Sequence, residues 1–171
     1  MLQLHSKPSS PPAHAAVECG FQAKLPTPFA VLGIRTTGGR LTGIEYLPRA
    51  AAALAPCDAV AEEACRQIES YLDDPEYRFD LPLAIAGTPF QRRVWEVIAA
   101  IPRGHTLTYR AVAQQINSAP RAVGGACGAN RLPLVIPCHR VVASGGIGGF
   151  MHARGGRPLE IKRWLLTHEG I

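Results

Sequence analysis

From residue 121 to residue 129 the chain carries almost no side chains: six of these nine positions are Ala or Gly (Ala122, Gly124, Gly125, Ala126, Gly128, Ala129). Pro120, just ahead, can open a helix, yet each glycine costs a helix roughly 0.5–1 kcal/mol and such residues are poor material for a core. Some gain must offset that cost. A helix this bare can lie close against another backbone, either a neighbouring helix of its own domain or the sugar-phosphate walls of a nucleic-acid groove. Arg121 heads the stretch as its one long charged side chain and Arg131 sits just past its end, which suits the groove. On these residues alone, tight packing inside the domain weighs the same.

The surrounding pattern is helical. Thr88-Pro89-Phe90-Gln91 is a hydroxyl cap, a proline at the first helical position and a glutamine placed to close a capping box. Phe90, Val94, Val97, Ile98 and Ile101 continue one face of that helix. Thr108 can cap a second, short helix carrying Tyr109, Val112, Ala113 and Ile116, and Asn117-Ser118-Ala119 is a tight turn before Pro120. Two short helices joined by a tight turn outline a helix-turn-helix. Many helical cores contain such a pair without binding DNA.

The first half differs in texture. Residues 1–16 hold too little apolar surface to order themselves and are expected to form a loose leader. A short β run at 17–23 and strands at 29–36 and 40–47, on either side of Thr37-Gly38-Gly39, predict a small antiparallel sheet with a hairpin. After Pro56, Val60, Ala61, Ala64, Ile68, Tyr71 and Leu72 share a helical face, with Glu62, Glu63, Arg66, Gln67 and Glu69 elsewhere. One amphipathic helix therefore covers the sheet. Asp73-Asp74-Pro75 ends it, and alternating Phe79, Leu81 and Leu83 predict an edge strand followed by a linker to Gly87. The expected class is α+β, with an α/β unit at 17–86 and a mostly helical unit at 87–171.

Charge separates the same two halves. Residues 1–87 carry a net −3 and residues 88–171 a net +8, within the overall +5. The second half is the one that should meet a polyanion. No apolar run approaches the ~18 residues of a membrane span, and the start of the chain lacks a basic-then-apolar signal, so the expected compartment is the cytosol, with no membrane partner. Five scattered cysteines without CxxC spacing predict reduced thiols and no structural metal.

Leu134-Val135-Ile136 should be buried, fixing Cys138 at the end of a rigid element with His139 and Arg140 beside it. A free thiol has a pKa of about 8.5, so a nucleophilic cysteine needs a base or a positive field nearby. Neighbours in sequence often point in opposite directions, so the pair alone does not decide. The glycine-rich stretch from Ser144 to Phe150 could form a pliable pocket wall, and it lacks the Gly-Lys-Ser/Thr of a phosphate loop.

Ile136-Pro137-Cys138-His139-Arg140-Val141-Val142 resembles the active-site signature of the O6-alkylguanine-DNA alkyltransferases (methylated-DNA:protein-cysteine methyltransferases). In the same order, Gly87-Thr88-Pro89-Phe90-Gln91, Thr108-Tyr109, Arg121-Ala122-Val123-Gly124 and Trp164-Leu165-Leu166-Thr167-His168-Glu169-Gly170 also resemble that family. The resemblance implies a ribonuclease H-like first unit and a winged-helix-like second one. It implies stoichiometric transfer of a methyl or larger alkyl group from O6-alkylguanine in a flipped nucleotide of duplex DNA approached from the minor groove by a monomer, and leaves activity on O4-alkylthymine open.

Residue by residue, the resemblance makes Cys138 the acceptor, His139 its base through a water and Glu169 the acid that orients His139. Tyr109 would help rotate the nucleotide and donate a proton toward guanine N3, Arg121 would fill the vacated stack, and Asn130 would brace the active-site turn. Ala122, Gly124 and Arg131 join Arg121 and Tyr109 on the DNA side. Val141, Ser144, Gly149 and Phe150 are expected to line the pocket, and no cofactor is implied.

The chain departs from the family pattern at Met151-His152-Ala153-Arg154, where the family usually has one residue before the next Gly-Gly pair, and at Phe150, where a tyrosine is common. Two rival readings stand beside the resemblance: a helix-turn-helix regulator without transfer activity, and a cysteine hydrolase. The first lacks a second regulatory domain, and the second lacks protease-type surroundings for Cys138.

Overall fold

The computed structural model describes residues 20–171. The 1–16 leader lies outside them, as do residues 17–19 of the first β run. Within the described part of that run Ala23 begins β1 (Ala23–Pro26), which pairs antiparallel with β2 (Val31–Thr37), which pairs in turn with β3 (Arg40–Leu47). Gly38 and Gly39 make the β2–β3 turn with φ of 57° and 71°. Positive φ at both central residues gives the two-residue hairpin turn that suits the twist of a β ribbon, and glycine adopts it without steric cost.

Both margins of this sheet are occupied. On the β1 side, Lys24 and Leu54 exchange backbone hydrogen bonds of 2.9 and 3.0 Å. On the β3 side, Leu41 N donates to Pro82 O (2.7 Å) while its carbonyl accepts from Ala84 N (2.9 Å), and Ile44 N donates to Arg131 O (2.8 Å).

Helix α1 (Ala59–Asp73) is capped by Asp58, whose carboxylate accepts from Ala61 N, and buries Ala61, Ala64, Cys65, Ile68 and Tyr71 toward the sheet. Gln67, expected on the outer face, is buried as well. Its carboxamide donates to Asp80 O (2.7 Å) and accepts from Asp80 N (2.8 Å). That clamp explains why the edge strand predicted around 79–83 does not form. Phe79, Leu81 and Leu83 alternate inward as expected, but Asp80 has both backbone groups committed to Gln67, Pro82 has no N–H to give, and only a single bridge, Leu41 to Leu83, remains.

The second half follows its capping signals. Helix α2 (Pro89–Ala99) has the full Thr88–Gln91 capping box, α3 (Tyr109–Gln115) is capped by Thr108, and α4 (Pro120–Gly128) follows the turn at Asn117, whose φ is 53°. Leu107–Thr108 (β4) and Val141–Val142 (β5) form a short parallel pair, and α5 (Arg157–His168) closes the fold. One hydrophobic core runs from the sheet through α1, α2 and α5. No helix among the described residues is long and apolar enough to cross a membrane.

Trp95 sets the position of α4. Its ring is buried and its Nε1 donates to Ala126 O (2.9 Å), which draws the bare helix against α2. A Cβ placed on Gly87 would come within 2.4–2.5 Å of that ring, and the ring has no free side to move to. Gly87→Ala is therefore expected to cost about 1–3 kcal/mol, as overpacking does, measured as a fall in the urea midpoint without a change in slope. An unchanged midpoint would mean that Trp95 is free to shift.

Candidate active site

The segment leading to Cys138 is buried but irregular. Leu134 takes a φ of 72°, Ile136 N donates to Leu132 O (2.8 Å), and Cys138 begins a single 3₁₀ turn, Cys138–Arg140. Rigidity comes from Asn130 rather than from a strand. Its amide donates to Ile136 O (2.8 Å) while its Oδ1 accepts from Leu132 N (2.9 Å), pinning both ends of the turn.

Behind the thiol, three side chains converge on one carboxylate. Glu169 Oε1 lies 2.8 Å from His139 Nε2, accepts from Tyr71 Oη (2.8 Å) and from an Arg140 terminal nitrogen (2.9 Å), and Oε2 accepts from Arg140 Nε (2.8 Å). His139 and Glu169 are 1% and 2% exposed. Burial alone would raise the Glu169 carboxyl, but hydrogen bonds and charge from His139 and Arg140 outweigh it and bring it down to about 2. An ionised carboxylate only accepts, so His139 Nε2 carries the proton of the neutral ring and Nδ1 presents its lone pair. That Nδ1 is buried and has no partner among the described residues. Burial also lowers the His139 pKa, against the pull of Glu169.

Arg140, expected to lend its charge to the thiol, is committed to Glu169 and to Ile101 O (2.7 Å). The nearby cation is Lys162. Fully buried, it donates to Val141 O (2.6 Å) and Gly149 O (2.9 Å). Burial brings Lys162 down to about 8, with Cys138 and Cys127 acting the other way. Sequence reasoning missed it, although the signal was present: Lys162 falls three residues after Leu159 and three before Leu165, on the apolar face of α5. Tyr71 was read only as a core position.

Burial pushes the Cys138 thiol up, and the Asn130 amide, the Lys162 charge and the backbone N–H groups of Cys138 and His139 only partly offset it. The resting sulfur is therefore a thiol at neutral pH. Its proton must leave during any reaction, which makes the unpartnered His139 Nδ1 consequential.

Cys138 opens into a cleft of about 690 Å³ shared with Tyr109, Arg121, Gly124, Gly125, Gly149 and Phe150. Tyr109 Oη donates to Gly149 O (3.0 Å), and burial takes its phenol up to about 12. Cβ atoms placed on Gly124 and Gly125 would meet nothing within 4 Å. Of the two possibilities for the bare helix, the groove is served by the open face at Gly124 and Gly125, while Val123 and Ala126 face the core.

The remaining expected residues are more dispersed. Arg131 lines a second cleft on the side of the sheet, with Asn130 and Cys138. Ala122 and Ser144 are exposed or nearly so and Val141 is fully buried, and none of the three lines either cleft. The glycine-rich wall is firmer than a pliable loop. Gly148 (φ 73°) packs so closely that a Cβ there would lie 2.9 Å from the Tyr109 ring. The additional residues after Phe150 form a tight hairpin: Phe150 and Ala153 exchange backbone hydrogen bonds of 2.9 Å, with Met151 and His152 at φ of 52° and 60°. The His152 ring covers Gly128.

A family model described as 6-O-methylguanine DNA methyltransferase, DNA binding domain, matches residues 89–171. The methylated-DNA--protein-cysteine methyltransferase of Methanosarcina acetivorans is 43% identical over 111 residues, 63% of this chain and 68% of that protein. The chain belongs to the 6-O-methylguanine DNA methyltransferase family. A second relative, the methylated-DNA--protein-cysteine methyltransferase of Methanothermobacter thermautotrophicus, is 46% identical over 107 residues; the match covers 61% of this chain and spans 58% of that protein's length. The fold agrees with a solved member, Mycobacterium tuberculosis OGT in complex with DNA, at a TM-score of 0.73 and 33% identity, covering 85% of this chain and 90% of the other. The sequence resemblance that ran from residue 87 onward thus extends, as a fold, across most of the methyltransferase chain.

Proposed function

We propose that this chain repairs DNA by taking a methyl or larger alkyl group from O6 of guanine in duplex DNA onto Cys138, and that each molecule acts once. The observation that carries this reading is the single cleft in which Cys138, Tyr109, Arg121 and the open glycine face of α4 meet. A helix without side chains suits the narrow minor groove, and the net +8 of residues 88–171 suits a polyanion.

The alkyl carbon lies inside a duplex, so the nucleotide must be flipped out at a cost of a few kcal/mol in lost stacking. Arg121, exposed at the first turn of α4 beside the cleft, offsets part of that cost by occupying the vacated stack. In the cleft, His139 Nδ1 takes the thiol proton through a water, the sulfur attacks the alkyl carbon in line, and the carbon–oxygen bond breaks with its electron pair going to O6. Tyr109 supplies a proton toward guanine N3 and makes the purine a better leaving group. The product is a thioether, whose carbon–sulfur bond resists hydrolysis at neutral pH. O4-alkylthymine offers the same alkyl–oxygen bond.

On this reading 17–86 is a ribonuclease H-like unit and 87–171 a winged-helix-like unit with α3–α4 as its helix-turn-helix, working as a monomer. The test is to incubate the full chain with a duplex containing O6-methylguanine and to map its mass by peptide. One methyl on the Cys138 peptide, with transfer stopping at one per chain, is the expected outcome. An unchanged mass would favour a DNA-binding regulator, and repeated turnover would favour a hydrolase.

A further inference from the structure

Tyr71 of α1 grips the end of α5 at two consecutive residues. Its hydroxyl donates to Glu169 Oε1 (2.8 Å), its backbone carbonyl lies 2.8 Å from His168 Nε2, and its ring meets the His168 ring edge-on at a centroid distance of 5.2 Å. Tyr71 is 2% exposed, and so is Glu169. The carboxylate that serves His139 is therefore held from the first half of the chain, 98 residues away in sequence.

Glu169 Oε1 is crowded. It lies 2.8 Å from His139 Nε2, 2.8 Å from Tyr71 Oη and 2.9 Å from an Arg140 terminal nitrogen. A carboxylate oxygen has two lone pairs, so three donors share one site and each weakens the hold of the others.

We infer that Tyr71 is a positioning residue of the proton relay, which fixes Glu169 Oε1 on His139 and, by drawing on the same oxygen, restrains His139 from taking the thiol proton. The inference deepens the role proposed for His139 as base and rests on it. The sign of the effect is set by charge. His139 meets the negative charge of Glu169 and the positive charges of Arg140 and Lys162. The thiol is influenced by Lys162 from α5 and by the Asn130 amide, with Tyr109 of α3 and Cys127 of α4 beside it. Tyr71 meets Glu169, Arg140 and Arg103, and lies near Tyr46 of β3.

Burial first, then the charge of Glu169, holds the Tyr71 phenol far above its ordinary value, so it donates as a neutral group throughout the working range. Without that donor, Oε1 keeps more negative charge for the His139 Nε2–H, the imidazolium is favoured over the imidazole, and Nδ1 becomes the stronger acceptor for the thiol proton. Tyr71 thereby restrains a sulfur that, on the proposed reading, can be spent only once.

Tyr71→Phe removes only the oxygen. The pH dependence of iodoacetamide alkylation of the Cys138 peptide should move to lower pH by about half a unit, which is roughly threefold faster alkylation at neutral pH. Site-specific 3-fluorotyrosine at position 71, a stronger donor, should move the midpoint the other way. A fall in thermal stability with an unmoved midpoint in both variants would leave Tyr71 a packing role alone and overturn the inference, as would a midpoint that rises in Tyr71→Phe. Should the unaltered chain transfer nothing from an O6-methylguanine duplex, the repair reading fails, while the alkylation midpoints still decide Tyr71.

Discussion

Cys138→Ser is expected to bind alkylated duplex DNA with an affinity within about twofold of the unaltered chain and to transfer nothing, a loss of more than about a thousandfold in single-turnover rate. The two halves of this result have separate causes. Cys138 is 7% exposed, at the floor of the cleft, whereas the surface assigned to DNA is Arg121 and the open face of α4, so affinity has little to lose. Transfer needs a soft, ionisable atom aligned with a saturated carbon, and a hydroxyl does not ionise where even the thiol is held above its ordinary range. Peptide mass mapping reads the transfer and a fluorescence titration reads the affinity. In this variant, methyl appearing on the introduced serine, or on Cys127 in the same cleft, would remove Cys138 from its assigned role.

The second large effect concerns stability. Glu169→Ala leaves His139, Arg140 and Tyr71 without their shared acceptor in a site closed to water, and breaking a buried ion pair from one side costs about 3–5 kcal/mol. Urea unfolding at neutral pH should show that loss, and Glu169→Gln, which keeps an oxygen for Tyr71 and Arg140, should lose less. The pH dependence has a fixed sign. The Glu169 carboxyl sits at about 2 in the folded chain, against roughly 4.3 when unfolded. Its contribution is complete above the unfolded value and is lost as pH falls toward 2, amounting to roughly 3 kcal/mol. In Glu169→Ala that part of the acid slope should disappear; an identical slope in both chains would place the network's stability elsewhere.

The parts of the fold legible from sequence were those decided locally. A two-glycine turn needs left-handed backbone, and Gly38-Gly39 supplied it. Thr88, Pro89, Gln91 and Thr108 announced helix starts because their side chains answer unpaired amides within three residues. What escaped was decided at long range. The alternation of Phe79, Leu81 and Leu83 was real, yet no strand formed, because Gln67, 13 residues away, took both backbone groups of Asp80. The roles proposed for Cys138, His139 and Glu169 were carried by family resemblance, and the structure places the last two at hydrogen-bond distance. Lys162 and Tyr71 were passed over, since each sits in an apolar pattern that describes its stem and not its polar tip.

Under the proposed function each molecule is consumed in a single event, so the protein would have to be stockpiled against the number of lesions it meets, and crowded copies with bare strand rims would template one another into aggregates. The three-stranded sheet offers few such rims: Leu54 stitches one border, and Pro82, Ala84 and Arg131 stitch the other. Hoarding without clumping is thus a property written into the connections that leave the sheet, at a distance from the sulfur they serve.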